Sequence, residues 1–217
     1  MSACAACAAP AARGESSVAG VSRPLIVAVA GSPRRGGNTE LLLEAAARGA
    51  QEEGATVEWV RPNALQFVAC QHCGGCTTTG RCVIQDEMQP VYDLLERMDG
   101  MILASPIYFG SVTAQVKALI DRAQALWARK YLLHQPLSAD GKPRPVLFLS
   151  VLGGHARGQI EGTRRVVEAF IATWDGHLHE LIFPEIEVEG EIADHWTALP
   201  QAHAAGQAMV VRLQQGE

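Results

Sequence analysis

From Pro24 onward the chain alternates short, β-rich apolar runs with stretches in which apolar residues recur every three or four positions. Leu25–Ala30 (LIVAVA) is apolar throughout, as in a strand covered on both faces of a parallel sheet, and it stops at Gly31. Asn38–Glu53 has helical spacing, with Leu41, Leu42, Ala45 and Ala46 on one face, Asn38 as the expected N-cap and Gly54 beyond its end. Thr56–Val60 predicts a second strand, followed by a loop over residues 66–85. A helix is expected from Asp86 to Met98, its first turn favoured by Asp86 and Glu87. Gly100–Ser105 predicts the third strand. The next helix, from about Ser111 to Tyr131, carries Val116, Leu119, Ile120, Ala123, Leu126 and Trp127 on one stripe. Pro136, Pro143 and Pro145 mark a loop before a fourth strand at Pro145–Val151. A helix over Thr163–Trp174, a strand over His177–Phe183 and a closing helix over Thr197–Leu213 complete the pattern.

Five strands, each separated from the next by helix, imply parallel pairing through right-handed crossovers, and so a doubly wound α/β fold. The order 2-1-3-4-5 fits this alternation. In such a sheet ligands sit beyond the carboxyl ends of the strands, where the chain reverses between strands one and three. The loops after strands one, three and four are therefore where chemistry is expected. Residues 1–23 are Ala, Ser and Gly without apolar periodicity, and are expected to form a disordered tail ahead of one domain over residues 24–217.

Composition narrows the function classes. With 18 basic residues scattered among 23 acids and a net charge of −5, the chain lacks the clustered cations that bind nucleic acid. No apolar run approaches the ~18 residues a membrane span needs. The N-terminus has no basic segment ahead of its alanines, so no signal peptide is expected. A soluble, cytoplasmic protein follows as the expectation. Disulfides are not expected there, which leaves six cysteines in need of another explanation.

The loop after the first strand runs from Gly31 to Thr39 and ends at a helix N-terminus, a natural anion site. It offers the hydroxyls of Ser32 and Thr39, the amide of Asn38, and backbone N–H groups opened by Gly36 and Gly37, with Pro33, Arg34 and Arg35 between. Gly37-Asn38 stands where a triphosphate loop needs Lys and Ser or Thr, and no GxGxxG is present. A monophosphate held by hydroxyls and amides suits it better; an ordinary polar turn is the plain alternative.

This loop resembles the FMN phosphate loop of the NADPH-dependent FMN reductase and iron–sulfur flavoprotein families, which share a flavodoxin-like fold. Two further segments match in order. Residues 99–110 (DGMILASPIYFG) resemble the strand and loop that wrap the flavin ring, and Lys117-x3-Asp121-Arg122 resembles the end of the family's next helix. The resemblance spans residues 25 to 155. It implies FMN as cofactor, contacts from Ser105, Pro106, Ile107, Tyr108, Phe109 and Gly110, and a homodimer or homotetramer. In iron–sulfur flavoproteins the cluster of one subunit lies near the flavin of another.

Pro106 interrupts an apolar strand and drives the chain out of the sheet where a crevice would open. Tyr108 and Phe109 can pack on an isoalloxazine ring, or serve as ordinary core aromatics. Gly153 and Gly154 follow strand four and can close over the ring; His155, next in line, is given no role. Lys117 and Asp121, at i and i+4, predict a weak surface ion pair.

Cys70, Cys73, Cys76 and Cys82 spell C-x2-C-x2-C-x5-C. Three thiolates at two-residue gaps wrap tightly round one corner of a cubane and a fourth closes it, as in the bacterial ferredoxin run. Gly74, Gly75 and Gly80 supply tight turns and uncovered N–H groups. The spacing also matches the compact motif that marks iron–sulfur flavoproteins. A four-iron, four-sulfur cluster is the expected occupant; zinc or another metal, and free or redox-active thiols, are the alternatives. Cys4 and Cys7 form another CxxC in the tail and are assigned no ligand role.

The expected function is thus an FMN-dependent oxidoreductase coupling a flavin to a cluster, fed by NAD(P)H or a ferredoxin-like donor. One rival is an NAD(P)H-dependent FMN or quinone reductase without a cluster, another a non-enzymatic electron carrier or redox sensor. No side chain is assigned as acid, base or nucleophile.

Overall fold

The computed structural model describes residues 23–137, 144–154 and 157–216. The expected tail with Cys4 and Cys7, apart from Arg23, lies outside the described residues, as do Pro143 and His155. Five strands, β1 (Leu25–Ala30), β2 (Thr56–Val60), β3 (Gly100–Ala104), β4 (Arg144–Val151) and β5 (Gly176–Phe183), form one sheet in the order 2-1-3-4-5. Every adjacent pair is parallel. The helices are α1 (Asn38–Glu52), α2 (Gln89–Arg97), α3 (Ala114–Arg122), α4 (Gln124–Trp127), α5 (Arg157–Ile171) and α6 (Ala198–Gln215).

The apolar runs divide between two cores because successive strand residues face opposite ways. Val27 and Val29 of β1, Met101 and Leu103 of β3, and Val146 and Phe148 of β4 pack against α2, α3, α4 and α5. Ile26, Ala28, Ala30, Ile102, Ala104, Leu147 and Leu149 pack against α1 and α6 on the other face. Both faces being buried is what makes the central strands continuously apolar.

Small residues set the approach of α1 and α6. A Cβ at Gly206 would lie 2.0 Å from the Ala46 carbonyl oxygen, and one at Gly49 would lie 2.1 Å from that of His203. The two backbones touch, so neither position admits a side chain without separating the helices.

The expected helix over residues 111–131 is broken. α3 ends at Arg122, α4 is one turn long, and a π turn covers Ala128–Leu132. The cause is a side chain from another helix: the Tyr92 hydroxyl donates to the Arg122 carbonyl at 2.8 Å, taking an acceptor that a continuous helix would use. α2 begins at Gln89 rather than Asp86, because the Asp86 carboxylate is engaged with Arg122 and with the Met88 N–H. α5 begins earlier than expected, at Arg157. Among the described residues no helix is long and apolar enough to cross a membrane.

The helix contact has a direct test. Gly206→Ala is expected to lower unfolding stability by about 1–3 kcal/mol, as overpacking of a closed contact does. Gly158→Ala, where a Cβ meets nothing within 4 Å, should be neutral or slightly stabilising in the same urea titration.

Candidate functional site

The chain parts in opposite directions after β1 and β3, and a buried hydrogen-bond relay holds the parting open. The Gly31 N–H donates to the Ala104 carbonyl at 2.7 Å, extending the β1–β3 ladder by one residue. The Gly31 carbonyl then accepts from the Thr113 hydroxyl at 2.7 Å, and the same hydroxyl caps α3 by accepting from the Val116 N–H. Ser105 is fully buried. Its hydroxyl accepts from the Thr113 N–H at 3.1 Å, and its carbonyl accepts from the Ser150 hydroxyl at 2.6 Å. Ser105 is thus a strut joining β3, α3 and β4. It does not reach the surface above them.

Over this strut lies an open cleft of about 330 Å³. Ser32, Arg34, Gly37, Asn38, Thr39, Pro106, Ile107, Tyr108 and Gly153 line it, drawn from the three loops expected to carry chemistry. Pro33, Gly36, Phe109, Gly110 and Gly154 lie outside its lining. The loop after β5, which the sequence reading passed over, adds Ile186, Glu187 and Glu189, and the end of β4 adds Val151 and Leu152. The position of β5 beside β4 was the signal that would have found this loop, since its carboxyl end opens on the same edge.

α1 presents its N-terminus to the cleft without a side-chain cap. Gly37 occupies the cap position, and Asn38, the expected cap, is instead the first helical residue. The Asn38 side chain donates to the Val188 carbonyl at 2.8 Å and accepts from the Ile192 N–H at 3.2 Å, pinning the loop after β5 beside the cleft. Gly36 takes a positive φ of 69°, and its N–H donates to the buried Glu40 carboxylate at 2.6 Å. Arg61 balances that carboxylate at 2.5 Å. The Ser32 hydroxyl accepts from the Arg34 N–H at 3.1 Å, tightening the loop. At the other rim Tyr108 and Ser111 exchange backbone hydrogen bonds of 2.9 and 3.1 Å across a Phe109-Gly110 turn. Both turn residues have positive φ, 51° and 73°, and the Phe109 ring is fully exposed. A bulky residue in the left-handed region is uncommon and costs energy that the surrounding turn must offset.

The four cysteines of the loop after β2 line a second cavity together with Arg122, Gln124 and Ala125. None is in a disulfide; Cys73 is exposed and the others are half-buried. Gly74 and Gly80 have positive φ, which lets the loop turn back on itself. The Cys70 sulfur accepts from the His72 N–H at 3.4 Å, and the Cys76 sulfur lies 3.9 Å from the Gln124 carbonyl of α4. Burial pushes the Cys76 thiol above its usual range, and the charges of Cys70, Cys82 and Cys73 add to the effect. Among the described residues no three His, Cys, Asp or Glu side chains converge so as to hold a single metal ion. The donor set still suits a cluster, since four cysteines of a single loop line one cavity with Gly74 among them; the Gly80 N–H, expected to be uncovered, instead donates to the Cys76 carbonyl at 2.9 Å.

Lys117 and Asp121 form the expected exposed i,i+4 pair at 2.6 Å and belong to neither cavity.

A five-stranded parallel sheet in the order 2-1-3-4-5, with a cleft at its switch point, defines the flavodoxin-like class. A solved structure described as NAD(P)H:quinone oxidoreductase from Methanothermobacter marburgensis shares this fold, with a TM-score of 0.71 at 16% identity over 87% of this chain and 98% of its own. The description of the NADPH-dependent FMN reductase family matches residues 24–185. An iron-sulfur flavoprotein from Methanosarcina thermophila is 33% identical over 157 residues, 72% of this chain and 75% of its own length. One from Archaeoglobus fulgidus is 42% identical over 96 residues, which span 44% of each chain. The chain therefore belongs to the iron–sulfur flavoprotein and NADPH-dependent FMN reductase family, and is a flavin-dependent oxidoreductase.

The relay beneath the cleft can be tested by itself. Thr113→Val removes both the donor to the Gly31 carbonyl and the cap of α3, and is expected to cost about 1–3 kcal/mol in urea unfolding. Thr113→Ser should recover most of that loss; equal stability of Val and wild type would show that the hydroxyl carries no load.

Proposed function

We propose that the protein transfers electrons between FMN bound in the cleft and a four-iron, four-sulfur cluster bound by Cys70, Cys73, Cys76 and Cys82. The observation that carries this reading is that all four cysteines of one short loop line a single cavity in a chain of this family. The phosphate of FMN is assigned to the uncapped N-terminus of α1, where the helix dipole and free N–H groups favour an anion. Ser32 and Thr39 contribute hydroxyls there, and Arg34 a positive charge. Ile107 and Tyr108 are assigned to the ring, with Gly153 lining the same cleft. Asn38 acts indirectly, by holding the loop that carries Glu187 and Glu189.

Bound FMN supplies two-electron hydride chemistry and single-electron release, and a cluster exchanges one electron at a time. The protein's part is to bind, orient and tune. No side chain in the cleft is proposed to transfer a proton. NAD(P)H, named in the family's own description, is the proposed donor. The exposed Phe109 beside the cleft supports assembly into a homo-oligomer, in which that ring would be covered.

Anaerobic purification followed by flavin, iron and sulfide analysis tests both centres. FMN at about one per chain, with about four irons and four sulfides, is the expected result; absence of FMN, or stoichiometric zinc in place of iron, would overturn the corresponding half. Cys73→Ala should abolish the cluster absorbance and leave FMN bound. Ser32→Asp places a carboxylate in the phosphate region and should weaken FMN at least about tenfold while affecting riboflavin much less. Equal weakening of both would refute the phosphate assignment.

A further inference from the structure

Arg122 is the one cation lining the cysteine cavity among the described residues, and it is 1% exposed. Its guanidinium donates to the Val68 carbonyl at 2.8 Å, to the two Asp86 oxygens at 2.6 and 3.0 Å, to the Ile84 carbonyl at 3.5 Å and to the Tyr92 hydroxyl at 3.4 Å. Val68 lies just before the cysteines in sequence, and Ile84 and Asp86 just after them. Asp86 offsets part of the cationic charge, but Asp86 does not line the cavity and it also accepts from the Val68 and Met88 N–H groups. Arg122 closes the carboxyl end of α3, where the helix's own partial charge is negative. A guanidinium does not titrate in the working range, so its charge is permanent.

We infer that Arg122 sets the reduction potential of the cysteine-held centre, as a buried cation lining the cysteine cavity that favours addition of one electron. The inference rests on the cluster reading of that cavity. A four-iron core of charge 2+ with four thiolates carries 2− overall, and one electron taken from the reduced flavin raises this to 3−. A fixed positive charge stabilises the 3− state more than the 2− state, and the low local dielectric enlarges the difference. Asp86 acts with the opposite sign. Arg122 is thus a positioning residue, one that touches no substrate and works through the electrostatics of the thiolates.

A redox titration of the purified protein with dithionite, followed by the cluster's absorbance and paramagnetic signal, tests this. Arg122→Gln should disfavour reduction by about tenfold in the one-electron equilibrium, about 59 mV towards more negative potential. Asp86→Asn should move it the other way, and Arg122→Lys should stay near wild type. If Arg122 only locks the loop, Arg122→Gln and Asp86→Asn would shift together, or neither would shift, and the inference falls. Should Arg122→Gln fail to fold, Asp86→Asn and Arg122→Lys decide alone: an upward shift in the first with none in the second supports the assignment, and any other pair of results refutes it. Iron is measured first in every sample. Wild-type protein without iron overturns the cluster reading and this inference with it, whereas iron present with potentials unmoved overturns this inference alone.

Discussion

A guanidinium can be buried only where acceptors surround it, and Arg122 collects its acceptors from three separate parts of the chain. The consequences spread outward. Val68, Ile84 and Asp86 tie both ends of the cysteine loop to α3. Tyr92 ties α2 to the same residue, and by donating to the Arg122 carbonyl it ends α3. Hydrogen bonding to Arg122 also holds the Asp86 carboxyl below its usual range, so the pair remains charged and mutually satisfied. Removing one partner would leave an unpaired buried charge, a far larger cost than the loss of a surface ion pair such as Lys117–Asp121.

The cleft depends on a different kind of closure. Parallel strands end with unpaired backbone groups, and at the switch point two neighbouring strands send their loops apart. Thr113, Ser105 and Ser150 satisfy those groups from within, which leaves the outer side of the loops free to face a ligand. Glu40 does the same for the Gly36 N–H, while the start of α1 keeps no side-chain cap. Internal satisfaction in one place and an open helix end in the next leave the start of α1 turned to the cleft with no side chain capping it.

What the sequence could disclose follows from the range of each interaction. β1 ends where its apolar run ends, because a buried strand is a local pattern. The cysteine spacing was likewise a local pattern, and the four residues do line one cavity, though the closing of that loop rests on Arg122, which no spacing announces. The break after Arg122 was not, since periodicity over residues 111–131 is unbroken and the interruption comes from Tyr92, 30 residues away. Asn38 was read as a cap because that is its commonest local use, while its partners here lie about 150 residues downstream. Ser105 stood in a motif whose hydroxyl can face either way, and the Thr113 N–H just ahead of α3 holds it inward. The loop carrying Glu187 and Glu189 has no motif at all; its place at the cleft is a property of strand order.

α3 connects the two cavities. Its first cap, Thr113, belongs to the strut under the cleft, and its last residue, Arg122, belongs to the cysteine cavity, so that nine helical residues, about 14 Å, separate them. The peptide dipoles point their positive end toward the cleft and their negative end toward the sulfurs. For a helix carrying nothing else, this polarity would favour electron density at the cleft and oppose its arrival at the cysteines. A cation at the carboxyl end is the economical remedy, because it cancels the local partial charge where it is largest and leaves the other end unchanged. Only a group that stays charged while buried can do so, and the Asp86 carboxylate beside it holds a cation in the charged form at that place.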